Sequence, residues 1–219
     1  MKINPNKSKA LSFTRARVKD PLNYSLGDQK IPEASCCKYL GIIIRTDLNW
    51  ADQVNYTVQK AWRALHFVMR IAKKVNKNRK SLAYTSPVRP ILEDGAACWD
   101  PYRECQISAL DRGQNRAAKS ARHSGGSEWE YLAQRRKITR MCALYNAYAG
   151  ERAWRAIGDR LQAPSYLSGV EHYWKIRARK QRTDIGNYSF VNRSITDRNK
   201  LPEGLPTVKC VFSKGGLGK

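Results

Sequence analysis

Between residues 50 and 74 the apolar side chains recur at helical steps, as Trp50, Val54, Val58, Ala61, Leu65, Val68 and Ala72. A stripe of that period has to be covered by other elements, so it commits the chain to a packed helical layer. The spacing predicts an amphipathic helix from Trp50 to Lys74, about 37 Å long at 1.5 Å per residue. Asp47 or Asn49 can cap its start, and Lys73, Lys74 and Lys77 suit the dipole at its end. Lys60, Arg63 and Arg70 lie off the apolar stripe. That placement fits a solvated face and a rail for phosphates equally well.

Ahead of the helix the pattern is different. Strands are expected at about 9–16, 22–26 and 37–45, separated by Pro21 and by Gly27-Asp28. The last of these contains Tyr39-Leu40-Gly41 followed by three isoleucines. A glycine inside a strand marks a bulge or the close approach of another backbone. On this reading a valine at Gly41 is tolerated by the fold, because β-branched residues suit strands.

Beyond the long helix, Asn78 can cap a second one, which Pro87 and Pro90 should interrupt by removing donors and clashing one turn back. A third helix is expected over about 103–122, weakened at Gly113 and stopped by Gly125-Gly126. Ser127 and Glu130 have the spacing of a capping box for a fourth. The fourth carries Ile138, Met141, Cys142, Tyr145, Tyr148 and Ala149 on one face. Arg135, Arg136, Lys137 and Arg140 lie around its first half. A short fifth helix fits 151–162. From about 165 the periodicity fades into a basic stretch with Tyr173, Trp174 and Tyr188 interleaved. Such a stretch reads either as a disordered basic tail or as a surface for stacking a single strand.

The charge balance points to a partner. Forty-one Lys and Arg stand against 18 Asp and Glu, a formal net charge of +23. Solubility needs far less, so a polyanion is expected, with nucleic acid ahead of an anionic membrane. The six cysteines form no C-x-x-C pair and the three histidines are dispersed. Neither a zinc site nor a disulfide framework is therefore expected, and no bound metal or cofactor. No apolar run approaches the roughly 20 residues of a membrane span, and no signal peptide is visible. The expected setting is intracellular, nuclear or cytoplasmic, with no small-molecule ligand.

Catalytic groups are not apparent. Two-metal phosphoryl transfer needs carboxylates that converge on ions about 4 Å apart. The adjacent acidic pair, Glu93-Asp94, would diverge by about 100° on a helix. There is no P-loop and no G-x-S-x-G.

Several linked segments carry a resemblance. "YLGIIIRTDLNW" with "KAWRALHFVMR", then "LAYTSPVRPILEDGAACWDPY", "ALDRGQNRAAK" and "SFVNRSITDRNKLP", resemble in order and spacing the C-terminal half of reverse transcriptases from non-LTR, LINE-type retrotransposons of the jockey-like kind. The resemblance covers about residues 1–206. It implies an origin in RNA-directed DNA polymerisation, with Tyr39, Leu40 and Gly41 in the primer grip. The helix from Trp50 would open the thumb. Lys60, Arg63, Arg70, Lys73, Lys74, Arg135, Arg136 and Arg140 are then expected to hold the backbone of a template–primer duplex. "INPNKSK" resembles the last palm motif, in which Lys7 would be a general acid for pyrophosphate; read from its own surroundings, Lys7 is a turn lysine. Asp94, Pro87, Gly113 and Arg198 depart from the family pattern. The blocks that bear the metal-binding aspartates are not in this sequence, so Mg²⁺ belongs only to a complete polymerase.

The expectation is an α+β, predominantly α, chain. A small antiparallel palm remnant occupies 1–48, a helical thumb-like bundle 49–163, and a basic, partly irregular extension 164–219. Its function would be sequence-nonspecific binding of RNA and DNA without polymerisation. The alternatives are a non-enzymatic basic RNA- or DNA-binding protein and a decayed retroelement product.

Overall fold

The computed structural model describes residues 4, 7–13, 23–71, 84–121, 131–148, 161–162 and 175–200. It is α+β and mostly helical, with two small antiparallel sheets. The chain divides into two compact units. Unit 1 takes residues 1–95 and 101–127; unit 2 takes 96–100 and 128–219.

Unit 1 begins with two hairpins. Strands β1 (Ser25–Leu26) and β2 (Gln29–Lys30) pair across the expected Gly27-Asp28 turn, where Gly27 has φ +61°. Strands β3 (Cys36–Tyr39) and β4 (Ile42–Arg45) pair with Tyr39 opposite Ile42. The single strand expected over 37–45 is thus a hairpin. Its two-residue turn is Leu40-Gly41, at φ 47° and +88°. Positive φ at both central positions matches the twist of the flanking strands, and glycine is the residue that adopts it without strain. In the first expected strand, Ala10 makes an isolated bridge with Glu33.

The turn reverses the expectation for valine. Nothing lies within 4 Å of a Cβ built at Gly41, so no clash arises, but its φ of +88° disfavours a β-branched side chain. Gly41→Val is expected to lower stability by about 1–3 kcal/mol. Thermal unfolding followed by circular dichroism checks this, and an unchanged melting temperature would contradict the turn.

Helix α1 (Ala51–Ile71) follows the hairpin. Asn49 starts it, its Oδ1 accepting from the Ala51 N–H at 3.0 Å and from Gln106 Nε2 at 2.9 Å. Val54, Ala61 and Leu65 are buried as expected, with Val58 and Val68 half-buried. Two polar residues share the buried face. Gln53 accepts the Ile43 N–H of β4 at 2.8 Å and donates to Thr57 Oγ1 at 3.3 Å. These bonds offset the cost of burying both side chains and fasten the hairpin to the helix.

The prolines act as expected. After Tyr84-Thr85 the chain turns over 86–88, and α2 (Arg89–Glu93) restarts with Pro90 in its first turn, where no donor is missed. Helix α3 (Glu104–Ala121) packs on α1. Gly113 is buried in α3, and an added Cβ would meet only Leu92 Cδ2 at 4.0 Å, so the site would accept a small side chain. The expected signals at Asn78, Gly125-Gly126 and Ser127–Glu130 lie outside the described residues.

Unit 2 contains α4 (Leu132–Tyr148), α5 (Asp184–Asn187) and α6 (Phe190–Asn199), with α4 packed on α6. Leu144, Ala147, Leu161, Ile176 and Ile195 form its apolar core, with Val191 against them. The region expected to be partly irregular therefore includes two helices, of which α5 has a side-chain cap. Thr183 Oγ1 accepts the Gly186 N–H at 3.2 Å to start α5. The expected fifth helix, together with Tyr173 and Trp174, lies outside the described residues apart from 161–162. Among the described residues no helix is long and apolar enough to cross a membrane.

Candidate nucleic-acid interface

The solvent side of α1 carries Tyr56, Lys60, Arg63, Phe67 and Arg70. Their steps of four and three residues place them in one row, about 21 Å from first to last at 1.5 Å per residue. Lys60, Arg63, Phe67 and Arg70 are all exposed. The helix has one acidic residue, Asp52, and Arg45 holds it at 3.0 Å while also binding Asp47 at 2.9 Å. The hydrogen bonds from Arg45 pull the Asp47 carboxyl below its usual range. One guanidinium thus pairs with both carboxylates at the start of α1 and offsets part of their charge, and the row from Lys60 to Arg70 is purely cationic and aromatic.

The β3–β4 hairpin adds to this row. Lys38 Nζ donates to Tyr56 Oη at 2.8 Å and sits 4.2 Å from the ring centroid. The Tyr56 phenol is lowered from its ordinary pKa first by that hydrogen bond and the Lys38 charge, and more weakly by Lys60 and Arg63. Three cations therefore act on one exposed oxygen, which marks the local potential as positive. At the hairpin tip Tyr39 is 63% and Leu40 85% exposed, and Gly41 is exposed beside them.

Helix α3 contributes residues that the sequence reading missed. Arg112, Arg116 and Lys119 are exposed, and their spacing of four and three puts them in one row. Arg116 lies 4.9 Å above the Trp62 ring of α1, which brings the α3 row beside that helix. The spacing was visible in the sequence. The neighbourhood was not, because it depends on α3 packing against α1.

Arg135, Arg136 and Arg140 depart from expectation. All three are buried in unit 2, and the face of α4 expected to be apolar is the outer one, with Ile138 and Tyr145 exposed. Arg136 Nε donates to Asp100 Oδ1 at 2.7 Å and its Nη2 to the Trp99 carbonyl at 2.7 Å, and its guanidinium lies 4.2 Å from the Trp99 ring. Arg140 binds Asp100 and also Asp197, the latter at 2.9 Å. Arg193 reaches Asp100 at 2.8 Å. Burial, then repulsion from Arg193, brings Arg140 down to about 10, against the pull of Asp197. These arginines support the fold of unit 2. They are not an open phosphate-facing row.

The remaining expected residues are placed simply. Lys7 is exposed, its N–H donating to the Asn4 carbonyl at 3.2 Å in a tight turn. Lys73 and Lys74 lie outside the described residues. Among the described residues no group of three His, Cys, Asp or Glu is placed to hold a metal. Compared with family models, with curated proteins and with solved structures, the chain gives no match.

Proposed function

We propose that unit 1 holds the sugar–phosphate backbone of a nucleic-acid duplex, without reading its sequence and without chemistry of its own. The observation that carries this reading is the row Lys60, Arg63 and Arg70 on α1, interleaved with Tyr56 and Phe67 and free of carboxylates. Arg112, Arg116 and Lys119 on α3 extend the same cationic character. Long cationic side chains on rigid helices suit phosphates, which position a protein on a duplex and carry no base information. The task is the one that the resemblance to the palm end and thumb of a LINE-type reverse transcriptase implies. The exposed tip at Tyr39, Leu40 and Gly41 would then face the end of the primer strand, with Gly41 offering backbone unobstructed by a side chain.

The test is duplex binding by Lys60→Gln and Arg63→Gln, measured by fluorescence anisotropy across a salt series. Each variant is expected to weaken binding to all duplex sequences alike. Each should also reduce the slope of log affinity against log salt by about 0.9, one phosphate contact's worth. Unchanged slopes would remove α1 from the interface.

A further inference from the structure

We infer that unit 2 carries a second nucleic-acid site, a groove for an unpaired strand, which does not depend on the α1 reading. Segment 175–182 has no regular secondary structure, yet it is fastened in place. The Ile176 N–H donates to Asn199 Oδ1 at 3.1 Å, and Asn199 Nδ2 donates back to the Ile176 carbonyl at 2.8 Å. The Arg177 N–H donates to the Gln162 carbonyl at 2.8 Å. With Ile176 in the core, the segment leaves Arg177, Arg179, Lys180 and Arg182 exposed to solvent. Ordinary basic tails lack such anchoring.

Beside the segment lies a groove of about 410 Å³, walled by Arg179, Asn187, Tyr188, Asn192, Arg193 and Lys200. Two carboxylates also line it, Asp184 and Asp197. Asp197 is already engaged by Arg140 at 2.9 Å and by Lys137 at 3.5 Å. Across Arg179 a second hollow of about 420 Å³ is lined by Gln162, Arg177, Ala178 and Lys180, with no acid. Cations thus continue from one concavity to the next along the chain.

The wall chemistry selects the ligand. Tyr188 is 45% exposed on a wall that also presents guanidinium, ammonium and carboxamide groups. Cations bind any polyanion, but an exposed ring beside them adds a face on which a base can stack. A duplex keeps its bases stacked on one another, and an acidic peptide has none to offer. An unpaired RNA or DNA strand uses both the charge and the ring.

The full chain is titrated with a fluorescent oligothymidylate of about ten nucleotides, with a fluorescent duplex and with a fluorescent polyglutamate peptide. Tyr188→Ala is expected to weaken oligothymidylate binding by about 5- to 150-fold, the worth of one stacked base, and to leave the duplex unaffected. Arg179→Gln, an exposed change that removes no contact described above, should reduce the single-strand salt slope by about 0.7. Lys60→Gln and Arg63→Gln should spare the single strand, so failure here and failure of the α1 reading are separable. The inference is overturned if Arg179→Gln and Tyr188→Ala bind oligothymidylate as the parent does, or if only the α1 variants weaken it. Polyglutamate binding as tight as the oligonucleotide's and equally sensitive to Tyr188→Ala would also overturn it, in favour of an acidic peptide.

Discussion

Raising the salt from 50 to 200 mM is expected to weaken duplex binding about 10³-fold, the effect of about six phosphate contacts. Lys60, Arg63, Arg70, Arg112, Arg116 and Lys119 are the exposed cations on α1 and α3 that could make them. Each neutralised phosphate releases condensed counterions, and that release is worth less when the bulk already holds many. The expected slope of log affinity against log salt is about −5. Duplexes of different sequence should give the same slope and nearly the same affinity, because these contacts address backbone and not base edges. A salt-insensitive complex, or a strong preference for one sequence, would mean that unit 1 binds by some means other than its cations.

Replacing Asp100 by alanine is expected to destabilise unit 2 by about 3–5 kcal/mol, the cost of leaving buried charges unpaired. Three guanidinium groups converge on this carboxylate, and the side chains of Arg136 and Arg140 are only 3% and 4% exposed. Without Asp100, Asp197 is left to balance Arg140 and Arg193. Among the described residues Arg140 Nε has no hydrogen-bond partner even in the parent. The burial that lowers the Arg140 and Arg193 pKa values shows how poorly the site tolerates more uncompensated positive charge. A loss of this size is a large share of the about 5–15 kcal/mol by which a typical domain is stable. Arg45→Ala provides the comparison, since its ion pairs with Asp47 and Asp52 are open to solvent and should matter by at most about 1 kcal/mol. Denaturant unfolding, with amide exchange read on α4 and α6, measures both. Equal effects of the two substitutions would refute the special role of Asp100.

Local pattern carried the helices well. The α1 stripe needed no tertiary knowledge, because Val54, Ala61 and Leu65 repeat at the helical period and little competes with them. Pro87 and Pro90 marked the break before α2 for a reason internal to the chain: a proline ring crowds the turn before it, so the chain turns over 86–88 and restarts with Pro90 in a first turn. The hairpin was misread because Tyr39-Leu40-Gly41 and the isoleucines form one apolar run. Only the positive φ of Leu40 and Gly41 divides that run into two strands. A leucine is not a usual signal for a turn, so composition favoured a single strand.

The amino-acid sequence by itself determined that this chain is basic, that α1 is amphipathic, and that Lys60, Arg63 and Arg70 stand off its apolar stripe, since charge and period are properties of the chain alone. Tertiary structure decided which arginines remain outside. Arg63 and Arg136 are indistinguishable as residues, and both lie on helices with one buried face. Arg136 is buried because Asp100, 36 residues away in sequence, and the Trp99 ring are brought against it, while Asp197 from α6 secures Arg140 one turn on. A buried guanidinium is tolerable only where carboxylates and an aromatic face replace its water. No local pattern on α4 records where those partners arrive, so its inner and outer faces were settled by the packing of unit 2.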